Sequence, residues 1–357
     1  MRKRARTSRE LPTVNDILLR TEQEFLDPAD IDALVVLGTT LGRSGRLDEA
    51  IQQFDRAIEI DPNFWDAWFN KGVALINKKE DARALECFQM AASIDPNTST
   101  PWLKMGEIHK RMHNFDKALE CLDKCWAIDH ENTYALGVKL EIFLEKGEPE
   151  KALQVIDKAL EIGQEDSSFM VRKGEILSSL GRHDQALSCF DEAMEISPET
   201  TIALYGKGAI HFQKGLYEEA LQCFETAIKI NGEYYDASRG KAFALLALER
   251  YHPALKEFQI LTKRYSESFE FSMGKGLAQM GLRRHPEALK FLERAIRLCP
   301  DNADAWQEKG KLLQKMGREE EAKSAFAEAQ SRKEVGKRSC PYWPNDFAQI
   351  QHVDFIN

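Results

Sequence analysis

Alanine returns every 34 residues through most of this chain, at Ala50, Ala84, Ala118, Ala152, Ala186, Ala220, Ala254, Ala288 and Ala322. A fixed period of this length marks a stacked-repeat architecture and limits the fold more tightly than composition does. A register starting at Ile31 gives nine blocks without an insertion: 31–64, 65–98, 99–132, 133–166, 167–200, 201–234, 235–268, 269–302 and 303–336. Every one of the alanines falls at position 20. Position 8 is Gly in seven blocks, with Leu140 and Ala242 as exceptions, and position 24 is always Phe, Leu or Ile. Position 27 is Ala except at Cys125 and Leu261.

Positions 4, 8 and 11 share one helical face, and positions 20, 24 and 27 repeat that spacing on a second helix. Between them, position 15 is Gly in five blocks (Gly45, Gly147, Gly181, Gly215 and Gly317), a helix-ending signal. Pro149, Pro253 and Pro286 stand where the second helix begins. Each block therefore reads as an antiparallel helical hairpin. Small residues at positions 8 and 20 let its helices approach, and the large residue at position 24 fills the space beside them. One such hairpin cannot bury its apolar faces alone, so neighbours must stack.

The pattern strongly resembles the tetratricopeptide repeat. Trp68, Trp102 and Trp306 match that family's Trp at position 4. The resemblance implies an all-α fold, a right-handed superhelical α-solenoid of antiparallel hairpins that binds protein segments along its concave face. The fourth block is the weakest match, lacking the position-8 Gly and the terminal Pro. Residues 1–30 read as a basic tail and an N-terminal capping helix carrying Val14, Ile17, Leu18 and Phe25. Residues 337–357 form an aromatic C-terminal tail, with Tyr342, Trp343, Phe347, Ile350, Val353, Phe355 and Ile356. So apolar a tail is expected to dock on the last repeats, in the groove, or on a partner.

Several function classes fall away. The formal charge is −9, and the first ten residues carry +4 of the positive side, so a general nucleic-acid binder is not expected. No stretch reaches the apolar length of a membrane span, and no secretory signal is expected from the basic, then amphipathic first 30 residues. Seven scattered Cys fit a reducing cytoplasm. Phosphate-binding loops, nucleophile elbows and zinc-protease motifs are missing, and nine hairpins leave too few residues for an ordinary catalytic domain. The chain is therefore expected to be no enzyme and to hold no cofactor. His109, His113, Cys121 and Cys125 are the best metal candidates, but an antiparallel hairpin puts His113 and Cys125 at opposite ends. Cys87, Cys121, Cys189 and Cys223 share position 23 and read as small apolar packing. Lys71, Lys139, Lys173, Lys207, Lys241, Lys275 and Lys309 share position 7; each stem is expected to pack beside the core with its head in water.

Positions 2, 5, 9, 12 and 13 make a separate stripe on the first helix. In the resembling family that stripe lines the concave groove. Carried over, with position 6 as a fringe, it gives a polar zone including Lys104, Glu107, Lys110, Arg111 and Glu175. It also gives an apolar zone in blocks six to eight: Ile202, Tyr205, Phe212, Phe243, Leu246, Met273, Leu277 and Met280. The apolar zone reads as a peptide-binding anchor, as a contact for the chain's own tail, or as inter-repeat packing. A clamp for chaperone carboxylate tails, as some members of the family carry, is not supported. Asn70 fits it, but Val35, Thr39 and Thr100 stand where Lys or Asn is needed. The expected function is a non-catalytic scaffold for a protein or peptide partner. A peptide-responsive sensor, a co-chaperone-like adaptor and an RNA-binding helical repeat are the alternatives.

Overall fold

The computed structural model describes residues 30–162, 166–265 and 268–334. The expected capping helix and aromatic tail lie outside them. Among the described residues the protein is an all-α helical-repeat solenoid of eighteen helices, two per block. The first four blocks hold α1 (Ile31–Arg43), α2 (Leu47–Ile60), α3 (Trp65–Asn77), α4 (Asp81–Ile94), α5 (Thr100–Arg111), α6 (Phe115–Ile128), α7 (Thr133–Glu145) and α8 (Pro149–Glu161). Blocks five to nine hold α9 (Ser167–Ser179), α10 (His183–Ile196), α11 (Thr201–Gln213), α12 (Tyr217–Ile230), α13 (Tyr235–Ala247), α14 (Tyr251–Tyr265), α15 (Phe269–Gly281), α16 (His285–Leu298), α17 (Ala303–Lys315) and α18 (Glu319–Glu334).

The chain divides into two compact units, Met1–Ile162 and Gly163–Asn357. The division follows the fourth block, the one whose sequence departs furthest from the repeat. In the second unit the first helices α9, α11, α13, α15 and α17 touch in an unbroken row.

One turn closes every hairpin. The position-15 residue has a positive φ in all nine blocks: Gly in five, and Lys79, His113, Glu249 and Arg283 in four. Its N–H donates to the carbonyl of position 12, as in Gly215 to Phe212. The next N–H reaches back to position 11, as in Leu216 to His211. These two bonds satisfy carbonyls the helix end would leave bare. The four non-glycine residues bear a left-handed penalty of roughly 1 kcal/mol each. Lys79→Gly and Arg283→Gly should therefore raise stability by up to about 1 kcal/mol each, less the entropy glycine adds to the unfolded chain. Urea midpoints check this, with Gly181→Ala expected to move the opposite way.

The core follows positions 8, 20 and 24. All nine position-20 alanines are buried. A Cβ on Gly208 would lie 2.6 Å from the Phe224 ring, which shows how tightly the two helices close. Blocks six to eight add a second close approach, between neighbouring hairpins. Gly206, Gly240 and Gly274 share position 6, and each sits against the position-24 Phe of the preceding block. Phe224 is thereby held between Gly208 and Gly240. The Trp at position 4 has a partner too: Trp68 Nε1 donates to Pro62 O (2.8 Å) and Trp306 Nε1 to Pro300 O (2.9 Å).

The position-7 lysines do not hold their heads free in water. Lys71 pairs with Asp55 at 2.5 Å, Lys241 with Glu225 at 3.4 Å and Lys309 with Glu293 at 3.1 Å. Lys139 and Lys207 likewise pair with Asp123 and Asp191. Each acid stands at position 25 of the preceding block, so the lysines clamp one hairpin to the next.

Candidate functional site

The inner stripe differs between the units. In the first, its charges pair with one another. Lys104 pairs with Glu107 at 2.8 Å, and Tyr134 Oη donates to the same Glu107 at 2.7 Å. That bond pushes the Tyr134 hydroxyl up to about 12. Lys110 pairs with Glu141 and, at 3.5 Å, with Glu145; the Arg111 guanidinium lies on Asp81, Nε to Oδ2 3.0 Å. The polar stripe is thus a brace across blocks two to four, built of pairs worth up to about 1 kcal/mol each at such exposure. Asn70, the residue suited to a carboxylate clamp, donates instead to Asp66 O of its own helix.

In the second unit Glu175 pairs with Arg172 at 3.1 Å, and burial holds its carboxyl above the ordinary range. Ile202 is 37% exposed, and Tyr205, Leu246, Leu277 and Met280 are half-buried. Phe212, Phe243 and Met273 lie deeper than an open groove requires. Phe212 meets Tyr217 edge-on, with centroids 5.1 Å apart, and Phe243 meets Phe258 at 5.2 Å. Met273 is 0% exposed, packed in a cluster with Phe269, Ala305 and Leu312. The Phe212 and Phe243 rings thus pack on the second helix of their own hairpin, and Met273 on the next hairpin. These three side chains serve packing, and charges placed there would test folding before binding.

The stripe in blocks six to eight is also less uniformly apolar than its Phe, Leu and Met residues indicate. Arg239 of α13 is only 4% exposed and Glu270 of α15 only 6%. Arg239 lies 3.4 Å from Glu270 and 3.9 Å from Asp236. Burial pushes Glu270 up to about 7 against the pull of Arg239, and it raises Asp236 as well. Burial also pushes Tyr205, beside Arg239, up to about 12. Asp236 and Glu270 occupy position 2, and Tyr205 and Arg239 occupy position 5. The cluster is therefore legible in the sequence as opposite charges on neighbouring rungs of the stripe.

Little else among the described residues offers chemistry. No group of three or more His, Cys, Asp or Glu is placed to hold a metal ion there. Burial pushes the Cys87, Cys121 and Cys125 thiols up to about 11, which keeps them protonated and unreactive near neutrality. A cavity of about 160 Å³ in the first unit lies among Trp126, Leu136, Phe143 and Val155. Leu136 occupies position 4, the place of Trp68, Trp102 and Trp306 in their own blocks. Ligand pockets usually begin at about 300 Å³. No helix among the described residues is long and apolar enough to cross a membrane.

The family model for the C-terminal domain of cilia and flagella-associated protein 70 matches residues 11–206, more than half of the chain. Tetratricopeptide-repeat models match 201–234, 239–303 and 291–324. An uncharacterized protein of Methanocaldococcus jannaschii is 42% identical over 48 residues, 13% of this chain and 56% of that protein. The chain thus spans little more than half the length of this curated relative. A tetratricopeptide repeat protein from Parabacteroides merdae is similar in structure, with TM-score 0.50 and 16% identity over 74% of this chain and 98% of that one. A chain of the APC/C hetero-tetramer Cut9–Hcn1 gives the same TM-score and identity over 84% of this chain and 59% of its own. These likenesses concern the fold, one associated in general with protein–protein interaction scaffolds. Through its hairpins, its 34-residue register and these matches, the chain belongs to the tetratricopeptide-repeat family, in the group defined by the C-terminal domain of cilia and flagella-associated protein 70.

Proposed function

We propose that this chain is a non-catalytic scaffold that takes a peptide or protein segment on its inner stripe, anchored in blocks six to eight. The observation that carries this reading is the surface left on the row α11, α13 and α15. Exposed Ile202 and half-buried Tyr205, Leu246, Leu277 and Met280 lie along it after the core has been filled. Adaptable apolar side chains on one row of helices suit an amphipathic helix or an extended apolar strand. The paired charges at the rim bear on partner choice more than on affinity. An RNA ligand is disfavoured by the net charge and by the acids that already occupy the position-7 lysines. The protonated thiols and the small cavity argue against catalysis.

Ile202→Glu combined with Leu246→Glu tests the reading. Affinity capture with mass spectrometry identifies the partner segment, and its synthetic peptide is then titrated against both chains. Binding should fall by at least about tenfold with the melting temperature little changed, because neither side chain is fully buried. Equal affinity for both chains would reject the stripe as the site, and an eluate dominated by RNA would reject the peptide reading.

A further inference from the structure

The inner stripe runs along the first helices. The second helices present another surface, and its charge reverses along the chain. Positions 22, 26 and 29 lie at i, i+4 and i+7, on one helical face about 200° round from the buried positions 20, 24 and 27. In the earlier blocks that outer face is acidic or balanced. Glu86 and Glu120 hold position 22, Glu59, Glu161 and Glu195 hold position 29, and Lys124 at position 26 pairs with Glu120 at 3.1 Å. In blocks six to eight Lys256 and Lys290 hold position 22, and Lys229, Lys263 and Arg297 hold position 29. All five are exposed. Acidic residues outnumber basic ones in every second helix except α14 and α16, where the balance is reversed.

The acids nearby are engaged elsewhere. Glu257 of α14 is held by Lys241 at 3.0 Å, and Glu293 of α16 by Lys309 at 3.1 Å, both on first helices. Glu233 takes Arg264. Lys229, Lys256, Lys263, Lys290 and Arg297 make no ion pair among the described residues. Lys290, Arg294 and Arg297 follow one another at i, i+4 and i+7, a spacing at which like charges weaken a helix. Aliphatic side chains stand open among the cations. Ile260, between Lys256 and Lys263 on the same face, and Leu298, beside Arg297, are each 48% exposed, and Ile230 beside Lys229 is exposed as well.

We propose that the outer face of α12, α14 and α16 is a second docking surface, for an acidic protein segment whose carboxylates alternate with aliphatic residues. It is independent of the inner stripe. Charge complementarity sets the class of partner, because unpaired cations gathered on an otherwise acidic chain draw an anion. The exposed aliphatics favour a polypeptide over a single-stranded nucleic acid, which is held by aromatic stacking. Spacing agrees. Lys256 and Lys263 are separated by about 10 Å of helical rise. An extended segment covers that distance in three residues of about 3.3 Å each. Carboxylates at i and i+3 with an aliphatic residue between them therefore meet both lysines and Ile260. With the inner stripe on the first helices, the chain can then hold two segments at once.

The test uses the full chain and a full-chain variant carrying Lys256→Glu, Lys263→Glu, Lys290→Glu and Arg297→Glu. A fluorescein-labelled peptide of repeated Glu-Leu-Ser triplets is titrated against each by anisotropy. Binding to the reversed chain at least about tenfold weaker than to the parent is expected, with a parallel loss for the parent when salt is raised from about 50 to about 500 mM. A second variant with Gln at the same four positions should fall between them, and it decides the matter if the reversed chain melts below the parent. Peptides with Gln for Glu, or Ser for Leu, should both bind more weakly. No binding to the parent, equal binding to parent and variants, or equal binding of the Ser-for-Leu peptide overturns the proposal. So does a dimer of the parent that the reversed chain loses, because it would give the face to a second copy. Tighter binding of oligouridylate or of phosphatidylserine vesicles than of the peptide also overturns it. Loss of peptide binding in the Ile202→Glu, Leu246→Glu chain would place the acidic segment on the inner stripe and reject the outer face.

Discussion

Gly208→Ala is expected to destabilise the second unit by about 2 kcal/mol, although alanine is the better helix former by up to about 1 kcal/mol. The added Cβ would stand 2.6 Å from Phe224 Cε1. The ring cannot retreat, because a Cβ built on Gly240 from the other side already lies 2.7 Å from Phe224 Cζ. Backbone must move, and the hairpin and its neighbour separate together. Gly240→Ala should therefore cost a similar amount, and the double substitution less than the sum, since the first displacement makes room for the second. Gly137→Ala is the control: it lies inside α7 with nothing within 4 Å of a built Cβ, and it should stabilise. Urea midpoints of the four variants read these signs. Equal shifts for Gly137 and Gly208 would show that helix propensity, not interhelical approach, sets the position-8 preference.

The second large effect is a dependence on pH. Burial raises the Glu270 carboxyl from 4.5 to about 7 despite the nearby Arg239. A carboxyl raised on folding favours the folded state while protonated, and that advantage is lost as pH rises through the folded value. The second unit should therefore lose on the order of 3 kcal/mol from this group between about pH 5 and pH 8. Asp236 and Glu175, both raised by burial, act in the same direction. The groups facing Glu270 include Arg239, Asp236 and Tyr235 of α13 and Tyr205 of α11. Glu270→Gln resembles the protonated form and should flatten the decline, leaving the variant more stable than the parent at pH 8. Denaturant melts at pH 5.5 and 8 check this; a variant that remains the less stable at pH 8 would mean the Arg239 pair outweighs the cost of burial.

Much of the fold was legible because each repeat makes the same physical demand. Nine buried alanines, seven position-8 glycines and a single turn geometry are one solution used again, so the register exposes them. The turn was more uniform than its residues indicated. Lys79, His113, Glu249 and Arg283 adopt the left-handed conformation that glycine favours, because the two Schellman bonds hold them there. The lysine ladder was legible as a periodic feature but not in its role. The pairing acid lies 16 residues earlier, on the second helix of the preceding block, where a single-helix view does not reach. At the stripe, helical spacing identified the face but not its depth. Phe243 and Ile202 belong to the same stripe and differ in depth: the Phe243 ring packs on Phe258 of its own hairpin, whereas Ile202 is 37% exposed. Arg239 and Glu270 show the limit from the other side: their types alone would place them in solvent.

The apolar inner stripe of blocks six to eight is proposed to hold a protein segment. Its most direct measurement is a calorimetric titration of the captured partner peptide against the reduced full chain and its Ile202→Glu, Leu246→Glu variant. Saturable one-to-one binding to the parent is expected, with a negative heat-capacity change from apolar burial and at least about a tenfold loss in the variant at unchanged melting temperature. Binding of equal strength to both chains would contradict it.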